Sequence, residues 1–195
     1  MPTSVDAPDW SSIPKPEDDG AASHLVGMTL PSIPLPATDG TLVDLSALPG
    51  RVVVYAYPRT GVPGIENPPG WDMIPGARGC TPQSCAFRDH LAELKALGVS
   101  RLFGLSSQDT AYQREAAERL HLPFPILSDD RFKLTEALRL PTFETSGMKL
   151  LKRMALVIQD GKIEHVFYPV FPPDRNASDV IAWLAGRRKA SNPAG

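Results

Sequence analysis

Residues Arg51-Val52-Val53-Val54-Tyr55-Ala56-Tyr57 are β-branched, aromatic and nearly continuous in apolar character. A strand of that kind is buried on both faces, as strands are in sheets that carry helices on either side. The rest of the chain alternates to match. Ahead of the strand, Leu30 to Leu45 reads as a hairpin turning at Asp39-Gly40, a tight-turn dipeptide between apolar runs. After it come a helix over 83–97 stopped by Gly98, a strand over 101–105, a helix over 110–120, a short strand over 124–127 and a helix over 131–138. Pro141 to Gly147 reads as a loop. Two strands, 153–158 and 163–168, are joined by Gln159-Asp160-Gly161-Lys162, and a helix over 177–186 closes the order. Strand–helix alternation followed by an antiparallel hairpin is an α/β fold with a central mixed sheet flanked by helices. Residues 1–24, rich in Pro, Ser, Asp and Ala, read as a flexible arm, with Trp10 and Ile13 as candidate anchors. Residues 25–187 form the domain, and 188–195 a loose tail.

Both cysteines of the chain lie in Gly79-Cys80-Thr81-Pro82-Gln83-Ser84-Cys85. Thr81 suits an N-cap and Pro82 the first helical position. Cys80 then sits at the mouth of a helix, where unpaired N–H groups and the positive dipole end stabilise an anion such as a thiolate. Cys85 lies five residues on. On a continuous helix that spacing is about 140° in azimuth and roughly 8–9 Å between Cα atoms, beyond the about 7 Å that a disulfide spans. The pair therefore points to two thiols acting in turn after a local opening, with two unrelated core cysteines as the plainer reading. Two cysteines at this spacing do not supply four zinc ligands. The loop from Gly61 to Gly79, punctuated by Pro63, Pro68, Pro69 and Pro75, is longer than ordinary connections. It reads as an active-site rim, with Trp71, Met73 and Ile74 folding over a pocket; a plain surface insertion is the alternative.

Charge narrows the function classes. The net charge of −2 and pI of about 6.1 point to neither nucleic acid nor an anionic membrane. No apolar run approaches the roughly 20 residues of a membrane span, and the polar, acidic start shows no secretory signal. Two cysteines in a chain this long fit a reducing, cytoplasmic setting.

Several segments together resemble one family. Val52 to Pro58, Cys80-Thr81-Pro82-Gln83-Ser84-Cys85-Ala86-Phe87-Arg88-Asp89, Leu122 to Asp129, and Lys152 to Ile158 with Gly161-Lys162-Ile163 are similar to peroxiredoxins of the peroxiredoxin Q or bacterioferritin comigratory protein type, over about Gly27 to Gly186. The resemblance implies a thioredoxin-like fold and a thiol peroxidase acting on hydrogen peroxide and organic hydroperoxides. It implies that Cys80 is peroxidatic and Cys85 resolving, through a Cys80–Cys85 disulfide recycled by thioredoxin or a glutaredoxin-like donor. Arg153 matches the arginine that holds the thiolate, although taken alone it reads as an exposed strand-edge charge. The family pattern has Pro seven residues and Thr or Ser three residues before the reactive cysteine; here those positions hold Met73 and Ala77. Pro58 and Thr60 resemble displaced versions. No cofactor or metal is implied, and a monomer or weak dimer is. A redox sensor without turnover, and a thiol–disulfide oxidoreductase on the same fold, are the competing readings.

Overall fold

The computed structural model describes residues 8–191. A short antiparallel pair, β1 (Pro34–Pro36) and β2 (Leu42–Asp44), precedes the long strand β3 (Arg51–Ala56). Then follow α1 (Cys80–Asp89), α2 (Leu91–Ala96), β4 (Val99–Ser106), α3 (Thr110–Arg119), β5 (Ile126–Ser128), α4 (Lys133–Leu138), β6 (Thr142–Thr145), β7 (Met148–Leu151), β8 (Met154–Gln159), β9 (Lys162–Phe167) and α5 (Asn176–Ser191). The main sheet has the order β5-β4-β3-β8-β9. β3, β4 and β5 run parallel, while β8 and β9 are antiparallel to their neighbours. This is the mixed sheet expected from the strand–helix order.

The alternation along β3 divides the core. Val52, Val54 and Ala56 face a cluster built with Leu134 and Leu138 of α4 and with Leu25, Leu30, Leu35 and Val43 of the N-terminal part. Val53, Tyr55 and Tyr57 face the other way, against Phe87 of α1, Leu94 of α2 and Val180 and Leu184 of α5. Successive side chains on a strand point to opposite faces, so one run of sequence supplies two cores.

Three expectations change. The helix over 83–97 starts earlier and is two helices. Gly79, not Thr81, is the N-cap, because it takes a left-handed conformation (φ 111°) that places Cys80 in the first turn. Pro82 stays within that turn, where its missing N–H costs no bond. The break comes at His90, whose ψ of 6° interrupts the helical backbone before α2 resumes; no glycine or proline marks it. The loop over 141–147 is largely a hairpin: β6 pairs with β7 through Ser146-Gly147, both at positive φ, the geometry of a tight type I′ turn.

At the ends, the described residues 8–24 of the arm lie on the domain. Trp10 Nε1 donates to Asp174 Oδ2 at 3.0 Å, Ile13 is buried, and Asp19 accepts from Lys152 Nζ and Tyr168 Oη. Helix α5 runs on to Ser191, past the boundary at 187. The remaining parts of arm and tail, 1–7 and 192–195, lie outside the described residues. No helix among the described residues is long and apolar enough to cross a membrane.

Candidate active site

Helix α1 is docked on β3 by two contacts. Phe87 stacks on Tyr55 with centroids 4.5 Å apart and planes 9° from parallel. Tyr55 Oη donates to Ser84 Oγ at 3.0 Å. Burying a ring of this size stabilises by roughly 2–3 kcal/mol, and the hydroxyl pair fixes the rotation of the helix. Together they place its first residue, Cys80, in the apolar cluster with Tyr57.

Gly79 holds that first turn against the rest of the chain. A β-carbon on Gly79 would lie 2.5 Å from Pro173 Cγ and 2.9 Å from Trp10 Cη2. Gly79→Ala is therefore expected to destabilise the protein by about 2–4 kcal/mol, left-handed backbone strain adding to overpacking against a rigid ring. Urea unfolding measures it, and a loss below about 0.5 kcal/mol, the scale of a surface substitution, contradicts it.

Cys80 is 3 % exposed, and so is Arg153. Arg153 Nη2 donates to Cys80 Sγ at 3.3 Å. The same nitrogen faces the carbonyls of Gly76, Ala77 and Arg78 at 3.3, 3.1 and 3.2 Å. Nη1 donates to Gln83 Oε1 at 2.5 Å, and Gln83 Nε2 donates to Asn176 Oδ1 at 2.9 Å. Among the described residues no carboxylate pairs with Arg153. Burying a guanidinium without an anion is costly. The ionisable group that faces the guanidinium is the Cys80 sulfur, which also sits at the positive end of α1. Arg153, read in isolation as an exposed charge, is thus an interior one.

Cys85 is half-buried, and both cysteines are free thiols. Burial pushes the Cys85 thiol up, outweighing the nearby charges of Arg88 and Arg119. That burial favours the protonated thiol of Cys85 at neutral pH.

Pro58 and Thr60 lie just beyond β3, and both are buried. Thr60 N donates to Gln108 Oε1, and Thr60 O accepts from Tyr112 Oη at 2.6 Å. Its Oγ1 has no hydrogen-bond partner among the described residues, Cys80 included, and neither does Tyr57 Oη. Burial, with Cys80 adding to it, pushes the Tyr57 hydroxyl well above its ordinary range, while Ser106 opposes.

The long loop brings its end, not its middle, to this site. Gly76 to Arg78 supply the carbonyls that hold Arg153. Trp71 is buried against Leu150 and Phe143 on the β6–β7 hairpin. Met73 is 67 % exposed, so it covers no pocket; Ile74 packs at the edge of the Trp71 cluster. A small cavity of about 100 Å³ reaches Arg153 between Pro16, Gly76, Phe143, Tyr168 and Val170. A wider cleft of about 590 Å³ lies apart, between Asp39, Arg114 and Phe124, and includes neither cysteine.

Sequence reasoning passed over Gln83, Asn176 and the three carbonyls. Gln83 carried a signal, since it lies three residues beyond Cys80 on the same helix face. Asn176 is remote in sequence, and backbone carbonyls leave no trace in residue types.

Comparison with known proteins places the chain in a family. The Redoxin family model matches residues 25–181. Peroxiredoxin Bcp of Escherichia coli K12 is 33 % identical over 163 residues, covering 81 % of this chain and 94 % of the relative. The chloroplastic peroxiredoxin Q of Oryza sativa subsp. japonica is 29 % identical over 159 residues, and the chain spans 65 % of that relative's length. Among solved structures, peroxidoxin BcpB of Mycobacterium tuberculosis superimposes with a TM-score of 0.65 at 27 % identity, covering 83 % of this chain and 96 % of that one. The Xanthomonas campestris peroxiredoxin Q, at 23 % identity and a TM-score of 0.63, covers 82 % and 96 % and shows the same thioredoxin-like fold. The chain belongs to the redoxin family, and within it to the peroxiredoxins of the peroxiredoxin Q and Bcp type.

Proposed function

We propose that the protein is a thiol peroxidase in which Cys80 is the reacting and Cys85 the resolving thiol. The observation that carries this is the buried Arg153 guanidinium, without a carboxylate and 3.3 Å from Cys80 Sγ. The Cys80 thiolate attacks one oxygen of a hydroperoxide. The S–O bond forms, the O–O bond breaks, and the released oxygen takes a proton and leaves as water or an alcohol. Cys85, held protonated, then displaces water from the sulfenic acid and closes a Cys80–Cys85 disulfide. The first turn of α1 opens for this, with Gly79 as the pivot. An external dithiol of the thioredoxin or glutaredoxin type supplies two electrons and restores both thiols. Standing dithiols suit a reducing compartment, and the cytoplasm is the proposed setting.

Cys85→Ser separates the two roles. This variant is expected to consume one peroxide equivalent per chain and then stall in thioredoxin-linked turnover, with sulfenic acid or its oxidation products on Cys80. Peptide mass spectrometry after a stoichiometric pulse reads it. Undiminished thioredoxin-linked turnover argues against Cys85 as the resolving thiol.

Thr60 is the proposed hydroxyl for the peroxide, with Pro58 shaping the turn that carries it. Its support is that Oγ1 is buried and unpartnered, an arrangement that costs about 1–3 kcal/mol unless a ligand completes it. Thr60→Val removes that cost. It is expected to leave the protein as stable or slightly more so, and to lower kcat/KM for peroxide about tenfold. Unchanged kcat/KM removes Thr60 from the site.

A further inference from the structure

The amide of Gln83 has two ends of opposite character, and only one suits its position. Oε1 accepts from Arg153 Nη1. Turned by half a rotation, the amide would direct its own NH₂ at the guanidinium, donor against donor. A second element anchors the amide in that orientation. Gln83 Nε2 donates to Oδ1 of Asn176, the first residue of α5, 93 positions away in sequence. Gln83 is 0 % and Asn176 1 % exposed. In that dry interior no solvent compensates a wrongly turned amide, and a buried polar group left unpaired costs what a lost hydrogen bond costs.

Asn176 is also out of keeping with its surroundings. The inward positions that follow it on α5 are Ala177, Val180 and Leu184, ordinary core residues. A buried amide there carries a desolvation penalty. The contact with Gln83 is the one side-chain hydrogen bond it makes among the described residues. It does not bond to Cys80. Asn176, Gln83, Arg153 and Cys80 form one line of hydrogen bonds running from the C-terminal helix to sulfur.

We infer that Asn176 is a positioning residue for the thiol reaction: by accepting from Gln83 Nε2 it anchors the amide whose Oε1 accepts from Arg153, and so keeps the guanidinium on Cys80 Sγ. This rests on Cys80 being the reacting thiol, as proposed above. Without Asn176, Gln83 Nε2 loses its acceptor, the amide is held by Arg153 alone, and the guanidinium is less firmly fixed on Cys80 Sγ.

The test is alkylation of Cys80 by iodoacetamide as a function of pH, with the Cys80 peptide followed by mass spectrometry. Peroxide takes no part, so failure of the peroxidase reading and failure of this inference are distinguishable. In Asn176→Leu the midpoint of the pH–rate profile is expected to move up by about one pH unit, so that alkylation below the midpoint slows about tenfold. The decisive arm is the Gln83→Glu background. A carboxylate accepts through either oxygen and has no wrong end, so there Asn176→Leu is expected to leave the midpoint where Gln83→Glu alone puts it. Asn176→Ala serves the same comparison if the leucine variant does not fold, with thermal melting to confirm the fold. An unmoved midpoint in the wild-type background overturns the inference. So does a shift of equal size in both backgrounds, which is what a packing role produces.

Discussion

Cys80→Ser is expected to lower peroxide consumption by about 10³-fold or more, the scale of removing a nucleophile from a working site. A serine hydroxyl has the wrong chemistry at every step. It does not ionise in reach of neutral pH, its oxygen does not take a second oxygen from a peroxide, and it offers nothing for Cys85 to displace. The variant is expected to fold, since sulfur makes a single contact as donor, to Ala77 O at 3.7 Å, and a hydroxyl serves there. Arg153 loses the anion that would balance it, so the melting temperature is expected to fall. Loss of activity in protein that is still folded therefore reads chemistry. Undiminished peroxidase turnover in Cys80→Ser sinks the assignment outright.

Arg153→Met is expected to lower kcat/KM for peroxide by about 10²–10³-fold, the usual consequence of removing one preorganised donor aimed at developing charge. The side chain does more than neutralise a thiolate. Its Nη2 gathers the carbonyls of Gly76, Ala77 and Arg78, so it also ties the end of the long loop beside Cys80. Methionine fills the space but leaves those carbonyls and Gln83 Oε1 without their donor. Arg153→Lys is expected to fall between the two. An ammonium restores charge at one point but not the planar fork that serves Gln83 and sulfur together. Stopped-flow rates with hydrogen peroxide across the three proteins measure this order. A methionine variant within about twofold of wild type would show that the guanidinium is structural only.

The main sheet was legible because β3 states its own environment: a run that is apolar at every step is buried on both faces, and its alternation named both cores. The start of α1 was legible in kind, from a Cys-Thr-Pro stretch, but off by two residues, since Gly79 could take a conformation that residue types closer to Thr81 cannot. The β6–β7 hairpin was missed for a physical reason. Its first strand has no buried residue, and Thr142 to Thr145 shows no clean alternation of apolar and polar residues. Arg153 shows the limit most clearly. Its residue type argues for the surface, and only the resemblance pointed inward. What makes the interior position tenable is a ring of backbone carbonyls, an amide bonded to Asn176 and the sulfur of Cys80, none of which a local window contains. Thr60 is the reverse case: the sequence singled it out as displaced, and the structure buries it with its hydroxyl unpartnered.

The central claim is that Cys80 and Cys85 act in turn, one on peroxide and one on the oxidised sulfur. Stopped-flow oxidation of the reduced protein by hydrogen peroxide and by an organic hydroperoxide, with mass spectrometry of the product, tests it most directly. The expected result is consumption far faster than a free thiol supports, and a product lighter by two hydrogen atoms with Cys80 linked to Cys85. A reaction no faster than that of a free thiol, or a product in which Cys80 is oxidised and Cys85 remains unlinked, would contradict it.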